Sequence, residues 1–262
     1  MNIDIIIIVP YKNRKLHYDF FEKYMTNYMN RLYKNKNFKI FYCNQLEDKP
    51  FNRGAMKNIG FLICKKLFNN YKNISFIFQD IDRLPIKDLD FITKKGVIKD
   101  FYGVNKALHS LFSITGEDFE FLKGYPNFWY WGFEDNVLYD KAIKNNLFID
   151  RSIYFKLKDK ENMILLDDSE EPKRLFSNKQ GWDYLNKNYD NIDDIKNIKY
   201  TISNNFFNIE YYETKTNYKD YDTEYIYPTE VIKLKPINSL NLKNSQIKNK
   251  KVNTNYKFAF KI

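Results

Sequence analysis

The chain has 262 residues, 44% of them hydrophobic and 29% charged, with a net charge of +10. That length supports one α/β domain with a full core, or a domain plus a small appendage, and no stretch approaches the roughly 20 apolar residues of a membrane-spanning helix. The two cysteines, Cys43 and Cys64, lie in apolar runs and form no disulfide framework, so they read as buried free thiols of a reducing compartment.

The opening MNIDIIIIVP lacks a basic n-region and a cleavage site and does not read as a signal peptide. The expectation is a soluble, cytoplasmic protein. Ile3–Val9 is a continuous β-branched run, the pattern of a strand buried on both faces of a parallel sheet. Leu16, Phe20, Tyr24, Tyr28 and Leu32 recur at helical spacing and predict a helix over Leu16–Tyr33. Phe38–Cys43 reads as a second strand, Arg53–Phe68 as a second helix and Ser75–Phe78 as a third strand. Strand, helix, strand, helix, strand argues for a mainly parallel α/β sheet flanked by helices. Ligands of such sheets sit at the carboxyl ends of the strands. The polar clusters Pro10–Arg14, Asn44–Arg53 and Asp80–Pro85 are therefore expected on one rim.

After Pro85 the pattern loosens. A short helix is predicted over Thr115–Leu122 with Thr115 as its cap, then an aromatic loop over Tyr125–Phe133. A helix over Glu134–Asn146 begins with acids, as the helix dipole prefers. Phe206–Tyr212 and Thr223–Leu234 read as strands or extended segments, and no structure is assigned from Ile237 onward. The division expected is a domain over 1–215 and a basic, partly extended segment over 216–262. Between Thr229 and Ile262 there are eight lysines against one glutamate, so much of the positive excess is terminal. It reads as a solvated tail or, alternatively, a binding surface. The abundance of Asn, Lys, Ile and Tyr fits an AT-rich genome, microbial or viral, better than it fits chemistry.

Three features carry chemistry. Asp80-Ile81-Asp82 puts two carboxylates at a strand end, where their repulsion calls for a cation or hydrogen-bond donors. A divalent ion bridging carboxylate and diphosphate is one answer; a turn or a helix cap is another. Pro10–Arg14 and Phe51–Gly54 offer cations and a helix N-terminus to an anion, or are solvated loops. Trp129–Asn136 sets aromatic rings beside carboxylates, a combination suited to sugars, although an aromatic core segment with a capping acid would look alike.

In order, VPYKNR, FNRGAMKNIGF, FQDIDRLP and GYPNFWYWGFED resemble the motifs of the β-1,4-galactosyltransferase family, over roughly Ile3 to Arg174. The resemblance implies a GT-A (Rossmann-like) fold and an inverting transfer from a UDP-sugar to a glycan hydroxyl, usually with Mn2+ (or Mg2+). Galactose is the default sugar, with N-acetylhexosamines as alternatives and a β-1,4 linkage as the product. It implies that Pro10, Tyr11, Lys12 and Arg14 contact UDP, and that Phe51 and Arg53 meet the uracil and nucleotide. Asp80 and Ile81 would touch the ribose. Asp82 falls on the metal-binding aspartate, Trp131 on a mobile-loop tryptophan, Glu134 on a sugar-contacting acid and Asp135 on the catalytic base.

The chain also departs from the family. Its third acid is Asn136, a glycine is Phe133, and a Gly-Gly pair is replaced near His109-Ser110. The residue that gates donor choice falls near Ala107. The Met-x-x-His metal motif keeps Met163 and loses the histidine, so either Asp167 or Asp168 would supply an oxygen ligand instead, or diphosphate and water would complete the shell of a two-ligand site. Arg174, like Asn136, falls where the acceptor binds. The partners implied are a UDP-sugar and a glycan acceptor, with no nucleic acid and no membrane span. A degenerate sugar or nucleotide binder is the alternative, and a nucleic-acid binder acting through the basic tail is a further one.

Overall fold

The computed structural model describes residues 2–166, 175–220 and 224–225. Strand β1, Ile5–Tyr11, is buried along its whole length because both its faces are covered. Ile5, Ile7 and Val9 point into one apolar cluster, and Ile6 and Ile8 into another. Helix α1 (Lys15–Leu32) packs Phe21, Met25, Tyr28 and Met29 into the first cluster, while α2 (Arg53–Leu67) packs Ala55, Met56, Ile59 and Ile63 into the second. The two helices thus cover opposite faces of the sheet, the arrangement a right-handed β-α-β-α-β run produces.

Strands β2 (Phe38–Gln45) and β3 (Ser75–Gln79) flank β1, both parallel to it. Gly60 lets α2 approach closely: a Cβ there would lie 2.4 Å from Cys43 Sγ and 2.9 Å from Ile8 Cγ2. Both cysteines are buried free thiols, as their apolar settings predicted.

Beyond β3 the sheet turns mixed. After β4 (Arg83–Pro85), β5 (Val97–Gly103) and β6 (Leu111–Thr115) form an antiparallel pair, and β6 is antiparallel to β3. Helix α3 (Gly116–Phe121) is capped by Thr115, whose hydroxyl accepts from the Asp118 amide, as predicted. Helix α4 (Glu134–Lys144) leads to β7 (Phe148–Asp150) and β8 (Phe155–Lys156), both parallel to β5. Strand β9 (Met163–Leu165) pairs with β4, and β10 (Leu175–Phe176) precedes α5 (Asn178–Leu185). The hairpin β11 (Lys196–Ser203) and β12 (Phe206–Glu213) completes the main sheet through a parallel pairing of β12 with β2. Its order is β11-β12-β2-β1-β3-β6-β5-β7, with β8 also on β5. The short β13 (Glu224–Tyr225) pairs with β10.

The early elements match the predicted ones to within two residues at each end. β5, β6, β11 and α5 were not foreseen. The extended segment expected over Thr223–Leu234 lies outside the described residues except for β13, as does the lysine-rich tail. Among the described residues no helix is long and apolar enough to cross a membrane.

Helix α1 also holds the chain that follows the acidic turn. Tyr24 donates to Pro85 O at 2.8 Å, Tyr28 donates to Lys87 O at 2.8 Å and accepts from Leu89 N at 2.9 Å, and Tyr33 donates to Leu89 O at 3.1 Å. Replacing Tyr28 with Phe leaves the buried Leu89 amide unpaired, at a cost of about 1–3 kcal/mol. In urea titration Tyr28→Phe should lower the midpoint with the slope unchanged. An unaltered midpoint would show that the hydroxyl contributes nothing to holding this segment.

Candidate active site

The three polar clusters share one rim, at the carboxyl ends of β1, β2 and β3. A turn closes where Arg83 N donates to Asp80 O at 3.2 Å, and it sends Asp80 and Asp82 to different partners. Asp82 is buried, its Oδ2 lying 3.4 Å from Arg14 Nη2 and 3.3 Å from Arg83 Nη1. Asp80 is held by Arg53, with Nε to Oδ1 at 2.9 Å and Nη2 to Oδ2 at 2.8 Å. Ile81, between them, is buried in the α1-side core.

Arg53 reaches further. Its Nη1 donates to Glu134 Oε1 and to Asp135 Oδ1, both at 2.9 Å, and its Nη2 to His109 O at 3.4 Å. One guanidinium from the start of α2 therefore joins the end of β3 to the start of α4. The local sequence explains why it sits there. Asn52 caps α2 by accepting from the Ala55 amide at 2.9 Å, and its own amide group donates to Asn127 O at 3.0 Å. One turn later Asn58 donates to Tyr125 O and Asn127 Oδ1 and accepts from Tyr125 N. Gly54 permits the contact, since a Cβ there would meet Pro126 O at 2.4 Å. Helix α2 thus clasps the loop that leads into α4.

That loop ends in an irregular turn. Gly132 has φ +114° and Phe133 φ +68°, and Gly132 N donates to Glu134 Oε2 at 3.1 Å. Gln180, from α5, donates to the carbonyls of Tyr130 and Gly132. Of the three consecutive large rings, Trp129 and Tyr130 are buried and donate hydrogen bonds to Thr216 O and Tyr218 O. Trp131 is 44% exposed. The core reading therefore holds for two rings and leaves Trp131 facing outward. On the other side, Asp135 O accepts from Leu108 N at 3.1 Å, and Asn136 donates to Lys106 O at 2.7 Å.

Burial and charge set the acidities. Burial would raise Asp80, but the positive charges of Arg53 and Lys57 outweigh it and hold the carboxyl well below its usual range. Burial lifts Asp135, against the pull of Arg53 and Lys57, and it lifts Glu134 with the adjacent Asp135 adding to the effect. Burial, with Arg53 nearby, pushes His109 down to about 4, so its imidazole is neutral at neutral pH. The outcome is a buried acid pair of raised basicity hung from one guanidinium.

Several predicted contacts have other uses within the chain. Lys12 donates to Glu47 O at 2.5 Å and Lys49 O at 2.7 Å, so it ties β1 to the loop after β2. The Tyr11 ring meets Tyr18, Tyr42 and Phe206 edge-on, next to Pro10 at the end of β1. Phe51 packs on the α2-side core. Met163 is buried in the α1-side core, paired with Pro85. Asp167, Asp168 and Arg174 lie outside the described residues. Among the described residues no three His, Cys, Asp or Glu side chains gather as a metal-binding group. The repulsion that argued for a metal is met here by arginines and a lysine, so of the two acids in the turn Asp82 is the one that would hold a divalent ion. Sequence reasoning missed Lys57, Arg83 and Gln180. For Lys57 the available signal was its position one helical turn after Arg53.

The comparisons with known proteins agree with this layout. Residues 1–93 match the N-terminal region of glycosyl transferase group 7, and residues 101–164 the family model described as the N-terminal domain of galactosyltransferase. A β-N-acetyl-D-glucosaminide β-1,4-N-acetylglucosaminyl-transferase from Lymnaea stagnalis is 32% identical over 154 residues, 54% of this chain and 30% of that protein. β-1,4-Galactosyltransferase 1 from Bos taurus is 26% identical over 158 residues, 56% of this chain and 38% of that protein. The chain thus spans well under half the length of these curated relatives. The crystal structure of the catalytic domain of Drosophila β-1,4-galactosyltransferase 7 with xylobiose superposes with a TM-score of 0.64, at 16% identity, covering 84% of this chain and 97% of that one. A mutant of the same protein, in complex with manganese, UDP-Gal and xylobiose, gives a TM-score of 0.61. The likeness shows the fold, the GT-A galactosyltransferase fold with a mixed, mostly parallel sheet. The two family models together match more than half of the 262 residues, in the order in which the motifs occur, and the chain belongs to the β-1,4-galactosyltransferase family.

Proposed function

We propose that the chain is an inverting glycosyltransferase moving a hexose, galactose or an N-acetylhexosamine, from a UDP-sugar to a glycan hydroxyl with a β-1,4 linkage. The observation that carries this reading is the convergence of Asp80, Glu134 and Asp135 on Arg53 at the carboxyl ends of the parallel strands. A buried carboxylate of raised basicity beside a second acid suits proton removal from a hydroxyl. In this reading Asp135 takes the acceptor proton while the acceptor oxygen attacks the anomeric carbon. The bond from that carbon to the diphosphate breaks, UDP leaves with the electron pair, and the configuration inverts.

Glu134 and the outward-facing Trp131 orient the sugar. In this reading Asp80 and Ile81 are assigned to the nucleotide ribose, and Phe51 and Tyr11 to the base. Arg14 and Arg83, which flank Asp82, are the cations placed to meet the charge developing on the diphosphate. Asn136 and Arg174 are assigned to the acceptor side. The expectation of manganese rests on the solved relative crystallised with manganese and UDP-Gal. In this chain Asp82 and Met163 would hold the ion, with Asp167 or Asp168 adding an oxygen, and it would offset diphosphate charge. No step above is routed through it. The division into a domain over 1–215 and a basic extension over 216–262 belongs to the same proposal.

Asp135→Asn keeps shape and removes the base, so turnover should fall roughly 10²- to 10⁴-fold. UDP affinity by calorimetry should hold within about twofold, because the base acts in the transition state rather than in donor binding. Wild-type turnover in that variant removes Asp135 from the role. Saturable UDP binding by the wild type, with no transfer to any acceptor tried, would favour a sugar-nucleotide binder instead.

The pH dependence has a definite sign. A base whose pKa is raised becomes protonated at a higher pH than an ordinary carboxylate, about 4. Activity should therefore decline as pH falls, with a midpoint above that value, and be constant on the alkaline side of it. A midpoint at or below 4 in a rate profile would contradict the buried base.

Manganese should tighten UDP binding to the wild type, and Asp82→Asn should abolish the increment while leaving metal-free binding in place. Equal affinity with and without manganese in the wild type would remove Asp82 as a ligand.

A further inference from the structure

Lys57 is fully buried on α2, one turn after Arg53 and on the same face. Its Nζ lies 3.4 Å from Asp80 Oδ1 and 5.0 Å from the centroid of the Tyr125 ring. Among the described residues that nitrogen has no hydrogen-bond partner, and burial and the Arg53 charge lower its pKa against the pull of Asp80, Asp135 and Glu134. Burying a lysine in this way is costly unless its charge is required. A chain that wanted only volume here would be better served by leucine or methionine.

The charges around it supply the requirement. Three carboxylates, Asp80 from the end of β3 and Glu134 and Asp135 from the first turn of α4, converge on Arg53. Glu134 and Asp135 share one guanidinium nitrogen. His109, between β5 and β6, is neutral at neutral pH and adds no cation. Asp100 on β5 is a further acid, pushed up to about 7 by burial with Asp135 adding to the effect, and itself paired with Arg151 at 2.7 Å. Without Lys57 one guanidinium would face three acids, two of them buried.

We propose that Lys57 is a positioning residue of this site: its ammonium is the second positive charge that the converging carboxylates need, and it holds Asp80 on Arg53 so that Asp135 is left available as the base. The proposal rests on the reading of Asp135 given above. Lys57 acts through its neighbours, since a fully buried ammonium cannot touch a substrate.

The test uses the full chain, with Lys57→Met and Lys57→Gln as near-isosteric neutral variants. Nitrogen NMR of the wild-type lysine side chains should find Lys57 as an ammonium at pH 7; a neutral amine there overturns the proposal without any variant. Carbon NMR of the Glu134 and Asp135 carboxyls should show their titration in the variants raised by about one pH unit or more. The acid limb of the transfer rate should move with it, so that turnover lost at pH 6 returns as the pH is raised. Carboxyl midpoints that stay in place in a folded variant would sink the idea, as would a rate loss equal at every pH. The NMR arms read proton binding whether or not the chain transfers sugar. An inactive wild type would therefore count against the Asp135 reading alone, and unmoved midpoints against Lys57 alone.

Discussion

Arg53 brings three carboxylates from two distant stretches of chain onto one guanidinium, and every other part of the site is arranged around that meeting. The arrangement is expensive to assemble. Each buried carboxylate gives up its hydration, and Coulomb attraction offsets the loss only where geometry is good and the remaining lone pairs are satisfied. Here a two-pronged contact fixes Asp80, while the opposite edge of the fork holds Glu134 and Asp135 together. The three acids would be left to Lys57 on removal of the guanidinium. The caps and clasps nearby keep it in place: Asn52 at the start of α2, Asn58 on the Tyr125–Asn127 backbone, and Gly54 against Pro126.

The sheet explains how such distant groups can meet. Parallel β1, β2 and β3 all end on the same side, which puts Arg14, the loop before Arg53, and Asp80–Asp82 on one rim. The antiparallel β5–β6 pair then returns the chain so that its connection, residues 104–110, lies against the first turn of α4 through Leu108 N and Lys106 O. The tyrosines of α1, which look in composition like a genome's bias, have a definite use. Their hydroxyls satisfy the backbone of residues 85–91, a stretch that runs from the end of β4 with no regular structure until β5.

Much of this was legible in the residues. Ile5–Val9 is apolar without interruption because both its faces are covered, and that pattern reads directly as a parallel central strand. The four ordered motifs contain Arg53, Asp80, Glu134 and Asp135, and also Lys57, to which the sequence alone assigns no role. What could not be read is instructive. Strand β11, KNIKYTIS, is an exposed strand at the end of the sheet order, so its sequence carries little apolar signal. Strands β5 and β6 contain Lys99, Asp100 and Ser113, polar residues that interrupt an apolar strand pattern, and Asp100 is paired through Arg151, far along the chain. Lys57 is hidden for a different reason. In a chain this rich in lysine, one more on a helix looks like solvent-facing charge, and only the fold reveals that it points inward at Asp80. Lys12 was similarly misleading, since its ammonium is spent on two backbone carbonyls of the neighbouring loop.

The acidic turn shows how one local feature divides the work of the site. In a straight strand, Asp80 and Asp82 would project on the same side and repel. The turn closed by Arg83 N on Asp80 O separates them, giving Asp80 to the cations of α2 and Asp82 to Arg14 and Arg83. Two electrostatic compartments follow from one three-residue segment. The Asp80 compartment is continuous with Glu134 and Asp135, where the proposed chemistry needs a base whose basicity is tuned by its neighbours. The Asp82 compartment opens on the end of β1, where the proposed chemistry needs cations for a leaving diphosphate. Separating the two lets charge develop on a diphosphate beside Arg14 and Arg83 while the proton is taken up apart from it, at Asp135 on Arg53. A change that collapses the turn should therefore damage both functions together, whereas changes at Lys57 or Arg14 should each reach only one.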